Sequence, residues 1–168
     1  AVFQSVTCRT AGFFTIPQEN LQEASAMVCM ILMFIGGSPL GTAGGVKTTT
    51  MAALLLTGSS FFKGKEDTEV FNRRIPENNI RTAWVVLMLG LAVVLTSTIG
   101  LAIATEGMEE GAYLINIMYE VTSAGATVGL SRGLTPLLPA AGKLIIILTM
   151  YIGRIGPTTL ATALTIHG

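Results

Sequence analysis

The stretch TSAGATVGLS, residues 122–131, decides the predicted fold of this chain. Its centre, Thr127-Val128-Gly129, is strand-like, follows a short apolar segment and precedes polar, turn-forming residues. This order is typical of a pore loop, because cation filters are built from backbone carbonyls that replace an ion's hydration shell. Gly129 lacks a Cβ, so the backbone can turn there where other residues would be strained. The stretch therefore predicts a filter loop.

The same pattern occurs 117 positions earlier, where Thr10-Ala11-Gly12 lies in the segment SVTCRTAGF. Held without gaps, this offset also pairs Met33 with Met150 and Gly36 with Gly153. Either tripeptide alone could be a glycine turn between two packed helices. Their repetition favours the filter interpretation and predicts an internal repeat of roughly 115 to 120 residues.

Composition predicts a membrane protein. The chain is 51% hydrophobic and 12% charged, with a mean hydropathy of +0.65, and its charge is about half that of a soluble domain. A net charge of zero leaves no basic face for nucleic acid. Cys8 and Cys29 have neither metal-ligand spacing nor a disulfide framework, and no catalytic constellation occurs, so we predict no enzyme. A chain that opens inside a filter-like loop, without an initiator Met, is expected to be a fragment.

Residues 1–62 are predicted to form a partial repeat, with a filter loop and a broken inner helix. The apolar helix over residues 24–35 is interrupted at GGSPLGTAGGVKTTT, residues 36–50, and resumes up to residue 62. A straight helix over 24–62 would be about 58 Å long, about twice the hydrocarbon core of a bilayer. The middle must therefore be unwound or folded back, buried in protein or lining a wet cavity.

The rest of the chain is predicted to be a cytoplasmic linker and one complete repeat. Residues 63–82 carry five basic side chains, which places this connection in the cytoplasm. Residues 83–168 contain an outer helix over 83–104, a pore helix over 112–123, the filter loop and an inner helix over 143–167. The predicted fold class is an all-α membrane protein of repeated outer helix–pore helix–filter loop–inner helix units.

Four motifs in this order resemble the membrane subunits of the Trk/Ktr/HKT superfamily of K⁺ transporters. They are TCRTAGF at 7–13, GGSPLGTAGGVKTTT at 36–50, SAGATVGLS at 123–131 and YIGRIGPTT at 151–159. The VKTTT ending of the second motif is most similar to the Ktr branch.

The resemblance implies K⁺ uptake through one pore formed by four repeats, of which this chain would hold the third and fourth. The implied partners are the first and second repeats of the same subunit, a second copy in a homodimer, a cytosolic nucleotide-binding regulatory ring and the lipid bilayer. K⁺, and in some branches Na⁺, would be the cargo, with no bound cofactor. The implied ion-binding residues are Thr10, Ala11, Gly12, Thr127, Val128 and Gly129.

The resemblance also implies that residues 36–50 form an intramembrane loop that gates the pore beneath the filter. Arg154 lies about 22 Å along the last helix from Pro139, past the middle of a ~30 Å core, and the repeat places it beside Gly37. The alternatives are a re-entrant turn without a gating role and an arginine that snorkels to the inner rim. A phosphate-binding loop is excluded, because Val46 precedes the lysine where the motif requires glycine. The implied gate residues are Gly41, Gly44, Gly45, Lys47 and Arg154.

Two further expectations concern Glu120 and a rival function. Glu120 falls in the predicted pore helix, where an unpaired carboxylate is costly, and Arg9 or Arg132 could pair with it and brace the loops. The rival is an ion-coupled secondary transporter with a midplane site between discontinuous helices. Such a carrier would not require the short helix before the filter tripeptide.

Overall fold

The computed structural model describes residues 2–38, 43–64, 69–70, 73–108 and 113–156, and these are mostly helical. A two-stranded antiparallel ribbon of two residues per strand, β1 (Glu69–Val70) and β2 (Arg73–Arg74), lies in the charged linker. The α-helices of the described residues are α1 (Val2–Thr7), α2 (Glu23–Phe34), α3 (Thr48–Phe62), α4 (Glu77–Ala104), α5 (Leu114–Gly125), α6 (Leu134–Leu137) and α7 (Ala140–Ile155). One 3₁₀ turn, Gln18–Asn20, lies between α1 and α2.

The longest helices begin and end at residues with clear backbone preferences. Pro76 and Pro139 immediately precede α4 and α7, where a residue without an N–H group costs no helical hydrogen bond. Glu77 places a negative charge in the first turn of α4, next to the positive end of the helix dipole. Gly156, at a φ of 83°, follows α7 and ends it in the backbone region that glycine adopts readily.

Helix α4 is the one helix among the described residues that is long and apolar enough to cross a membrane. Only 17% of its most apolar window is buried within the chain, whereas a core helix of a soluble protein would be mostly buried. It starts six residues before the predicted span, because the polar turn at its beginning is helical. Arg81 and Glu77 form an exposed ion pair there at 3.6 Å.

Helix α5 lies at the centre of the described fold. Every residue from 119 to 124 is buried, and the helix is about 18 Å long, too short to cross the hydrocarbon core. Its described range, Leu114–Gly125, is shifted two residues from the predicted 112–123. One core on α5 faces α2 and contains Met30, Met33, Tyr119, Val128 and Leu130. The other faces α4 and α7 and contains Leu101, Val121, Ala124, Leu134 and Ile146.

The described residues between 24 and 62 form two separate helices. Helix α2 ends at Phe34 and α3 begins at Thr48, so no straight helix covers 24–62. The last helix begins at Ala140, three residues before the predicted start, and is described to Ile155. The remainder of the predicted span, from 157, lies outside the described residues.

Candidate functional site

Two loops, residues 9–14 and 126–131, have the same pattern of backbone angles. Thr10 and Gly12 have φ values of 64° and 74°, and Thr127 and Gly129 have φ values of 57° and 88°. The two threonines are the only residues other than glycine with positive φ in the described part of the chain. A β-branched residue in this region is a backbone outlier, so the surrounding structure must impose it. The 117-residue offset seen in sequence is thus also an offset of backbone conformation.

Each loop is held to the end of a short helix by its own amides. In the first loop, the amides of Ala11 and Gly12 both donate to the Thr7 carbonyl, at 3.2 Å. In the second loop, the Val128 amide donates to the Ser123 carbonyl at 2.9 Å, and the Thr127 amide to that of Ala124 at 3.1 Å. These bonds use the carbonyls left unpaired at a helix C-terminus. They fix the direction in which each tripeptide leaves its helix.

The two loops are in direct contact with each other. A Cβ placed at Gly12 would overlap the carbonyl oxygen of Val128, so glycine is required for this close approach as well as for its positive φ. A Cβ at Gly129 meets no described atom within 4 Å. The structure therefore brings the two predicted filter tripeptides together, and their two glycines have different surroundings.

The two ends of the interruption between α2 and α3 are joined by backbone hydrogen bonds. The Gly36 amide donates to the Val46 carbonyl at 2.9 Å, and the Val46 amide to the Phe34 carbonyl at 3.0 Å. Ile35 and Val46 form a parallel bridge, so the chain leaves the loop in the direction in which it entered. Of the predicted gate residues, Gly41 lies outside the described residues.

Residues 43–47, at the end of this interruption, contact the second loop. The amide of the buried Gly44 donates to the Thr127 hydroxyl at 3.1 Å, and a Cβ at Gly44 would be 2.7 Å from the Ala126 carbonyl oxygen. Gly45 has a φ of 70°. Lys47 donates from its ammonium group to the Ala43 carbonyl, within the same segment. Lys47 thus stabilises the interruption by an internal hydrogen bond to Ala43.

Arg154 is exposed and lies in the last turn of α7. It lines an open cleft of about 990 Å³ that is also lined by Thr127 and Gly129. The preceding residue, Gly153, packs so closely on the Gly125 carbonyl that a Cβ would overlap it. Gly153 and Gly45 line the same small apolar cavity of about 60 Å³. The position next to Arg154 in sequence therefore lies beside the interruption between α2 and α3.

The surroundings of Glu120 correct the expected arginine pairing. Its carboxylate is 4% exposed and accepts hydrogen bonds from the Ser131 and Thr135 hydroxyls and from the Arg132 backbone amide. The Arg132 guanidinium instead donates to the Leu21 carbonyl at 3.3 Å. Sequence reasoning sought an opposite charge, whereas the turn after the loop supplies neutral donors.

The sequence patterns did not indicate a role for Gln18, which is a second buried polar residue. Gln18 is 3% exposed, and its side-chain oxygen accepts from the Gln4 amide at 2.7 Å and from the Tyr119 hydroxyl at 3.0 Å. The Arg132 guanidinium lies 5.9 Å from the centroid of the Tyr119 ring. These contacts join the first loop segment to α5. The only sequence signal for them is that Gln18 precedes Thr135 by the repeat offset of 117.

No group of three or more His, Cys, Asp or Glu side chains that could hold a metal ion occurs in the part of the chain that the structure describes. The chain matches the family TrkH, described as cation transport protein, over residues 1–167. It belongs to the TrkH family.

Curated relatives of this TrkH-family chain include two bacterial uptake proteins. The chain is 40% identical over 164 residues to the potassium/sodium uptake protein NtpJ of Enterococcus hirae, covering 98% of the chain and 36% of that protein. It is 41% identical over 157 residues to the Ktr system potassium uptake protein B of Bacillus subtilis, covering 94% and 34%. The chain thus spans about a third of the length of these relatives.

A third relative is the Ktr system potassium uptake protein B of Vibrio alginolyticus, 35% identical over 161 residues that cover 96% of the chain and 34% of that protein. These matches confirm the resemblance to the Trk/Ktr superfamily drawn from the four motifs. The TrkH family consists of cation transport proteins, so the chain is a membrane protein of a transporter family and not of an enzyme family.

Proposed function

We propose that the full-length protein containing this chain takes up K⁺ through a filter of backbone carbonyls, gated by the interruption between α2 and α3. One observation carries the proposal. Two contacting loops, 117 residues apart, have the same pair of positive φ values at a threonine and a glycine. In such a backbone, positive φ at alternate residues turns successive carbonyls toward one side of the chain. Carbonyls on one side are what a dehydrated cation needs.

The proposed filter residues are Thr10, Ala11 and Gly12 in the first loop and Thr127, Val128 and Gly129 in the second. The contact between Gly12 and the Val128 carbonyl supports a shared pathway, because it makes the loops neighbours around one axis. The short α5, which ends immediately before the second loop, acts as a pore helix. The first and second repeats, in the remainder of the subunit, would supply the other two loops of the ring.

The proposed gate joins the interruption and Arg154. The hydrogen bond from Gly44 to Thr127 holds the interruption against the second loop. Arg154 shares a cleft with Thr127 and Gly129, where its positive charge raises the barrier for a cation that leaves the filter. Gly44 and Gly45 supply the backbone freedom for movement, and Lys47 anchors the segment through Ala43. Gly41 is included among the gate residues on sequence grounds alone.

The cargo, partners and location of the full-length protein are also part of this proposal. The names of the relatives specify potassium, and in one case sodium, so K⁺ is the principal ion and Na⁺ a second one. Two relatives are components of Ktr systems, which supports assembly with further proteins. We assign a homodimer on a cytosolic nucleotide-binding ring, in the cell membrane, with the linker over 63–82 in the cytoplasm.

Gly129→Ser in the full-length protein tests the filter. A side chain at a φ of 88° costs about 1–2 kcal/mol, so the loop should shift and K⁺ affinity should fall roughly tenfold, with weaker discrimination against Na⁺. K⁺ uptake with and without competing Na⁺, in cells lacking other K⁺ systems, measures both.

Gly107→Ser is the matched control for this experiment. Gly107 has a φ of 90°, with no described atom within 4 Å of a Cβ, but lies outside both loops. It should carry the same backbone strain and leave selectivity unchanged. Unaltered affinity and selectivity in Gly129→Ser would refute the filter.

A further inference from the structure

Glu120 is a buried carboxylate whose hydrogen bonds all go to one short segment. Ser131 donates to Oε1 at 2.5 Å through its hydroxyl, and Arg132 donates to Oε1 at 3.0 Å through its backbone amide. The Thr135 hydroxyl donates to Oε2 at 2.8 Å. A carboxylate removed from water is strongly destabilising unless such donors replace its hydration. The three donors therefore determine where residues 131–135 can lie.

This segment begins two residues after Gly129, on the outgoing side of the second loop. The incoming side is already fixed, because the Thr127 and Val128 amides donate to the end of α5. Glu120 lies on the same helix, so α5 holds the loop from both sides. The Ser131 hydroxyl also accepts from the Gly133 amide at 3.0 Å, which extends the restraint through the turn.

The first loop is held in a different way at the corresponding place. The repeat offset aligns Glu120 with Phe3, which is 50% exposed, and aligns Thr135 with Gln18. There the outgoing segment is fixed by Gln18 bonding to Gln4 and by the Thr7 hydroxyl donating to the Phe13 carbonyl. Hydrogen bonds between neutral groups thus fix the segment that follows the first tripeptide, whereas the Glu120 carboxylate fixes the segment that follows the second.

We propose that Glu120 is a positioning residue of the second filter loop, acting as a hydrogen-bond acceptor for residues 131–135 and not through its negative charge. The proposal rests on the filter function proposed above. Glu120 bonds to residues that follow the Thr127-Val128-Gly129 tripeptide, so it acts on the carbonyls of that tripeptide through them. A glutamine can reproduce the arrangement, since its oxygen can accept from Ser131 and Arg132 while its NH₂ donates to the Thr135 hydroxyl oxygen.

The test compares Glu120→Gln with Glu120→Leu in the full-length protein, at matched membrane expression. K⁺ uptake would be measured as KM, maximal rate and inhibition by Na⁺. Glu120→Gln should leave KM within about 1.5-fold of the parent value, because the acceptor geometry survives. Glu120→Leu leaves three hydrogen-bond donors without their acceptor. It should raise KM for K⁺ roughly tenfold and weaken discrimination against Na⁺. Phe3→Leu, at the corresponding position of the first repeat, should change none of these values.

Thr135→Val covers the case in which Glu120→Leu fails to reach the membrane. It removes one donor and keeps the side-chain shape, so KM should rise about threefold with selectivity partly relaxed. Equal damage by Gln and Leu would show that the charge matters and would overturn the proposal. Unchanged KM and selectivity in Glu120→Leu, or in Thr135→Val where the former is not expressed, would also overturn it.

The outcomes separate this proposal from the filter itself. If Gly129→Ser alters selectivity and Glu120→Leu does not, the filter stands and the positioning role fails. If Gly129→Ser has no effect, the filter assignment fails first.

Discussion

Residues 2–34 and residues 119–151 have the same order of elements, a helix, a loop, a short helical turn and a second helix. The boundaries of these elements lie about 117 positions apart, and the short turns are Gln18–Asn20 and α6. Helices α2 and α7 both begin at this offset, at Glu23 and Ala140. The two segments diverge afterwards. The first stops being helical after Phe34, whereas α7 continues to Ile155. The elements around the two loops are shared by the two segments, and the stretches that follow Phe34 and Tyr151 are not.

Local sequence explains the divergence. The first segment continues as Gly36-Gly37-Ser38-Pro39, in which each glycine costs about 1 kcal/mol in a helix and the proline cannot continue one. The second continues as Gly153-Arg154-Ile155, with one glycine that packs against α5 and two residues that accept helical geometry. We infer that the two repeats share the filter and divide the gate, one supplying a loop and the other a fixed charge.

The largest expected difference between the repeats lies at their glycines. Gly12→Ala combines a positive φ with overlap of the Val128 carbonyl, whereas Gly129→Ala meets no described atom. The first change should destabilise by several kcal/mol and the second by about 1–2 kcal/mol. Thermal unfolding of the purified full-length protein would show the order.

Gly58→Ala serves as the control, because Gly58 is within α3 with open space around it. It should be neutral or slightly stabilising. Equal shifts in Tm for Gly12→Ala and Gly129→Ala would contradict the asymmetric contact between the loops.

The next effect concerns the divided gate. Deleting residues 41–45 should raise maximal K⁺ flux on the order of tenfold with little change in apparent affinity, and Arg154→Ala should act in the same direction. A unit charge about 6 Å from the ion repels it by at most ~3 kcal/mol at an effective dielectric near 20, and water in the pore lowers this. Uptake rates at saturating K⁺ measure the change.

The double variant tests whether loop and charge act on one constriction. Its flux should exceed the parent's by less than the product of the two single effects, as expected of coupled neighbours. Arg81→Ala, which removes an exposed charge at the start of α4, should leave flux unchanged. Flux at or below the parent level in both single variants would show that this region supports the structure without gating it.

The smallest effect distinguishes the two threonines. Thr127→Val keeps the backbone carbonyl and side-chain shape but removes the acceptor for the Gly44 amide. An unpaired buried amide costs about 1–3 kcal/mol, so the loop should loosen and flux should rise about threefold. Thr10→Val should have a smaller effect, since the Thr10 hydroxyl accepts no hydrogen bond among the described residues. Equal responses would mean that the bond does not hold the gate.

Sequence reasoning succeeded where the determinant is local. The interruption after Phe34 and the short helix before Thr127 follow from glycine, proline and hydropathy patterns within a few residues. The start of α4 was predicted six residues late, because hydropathy detects the apolar part of a helix and not its polar first turn.

Contacts across the repeat could not be predicted in the same way. The approach of Gly12 to Val128 and the bond from Gly44 to Thr127 join residues more than 80 positions apart. For Glu120, the rule that a buried charge seeks an opposite charge suggested arginines. Its actual partners are neutral donors that depend on the shape of the turn after the loop.

Locating the bound ion would show whether the two loops form one cation filter. Crystals of the full-length protein grown with Rb⁺ or Tl⁺ would give anomalous peaks at the sites that K⁺ occupies. We expect peaks beside the carbonyls of Thr10 to Gly12 and Thr127 to Gly129, and these peaks should weaken when Na⁺ replaces the heavier ion. An ion held in the interruption between α2 and α3, with nothing between the loops, would contradict the account and favour a carrier with a midplane site.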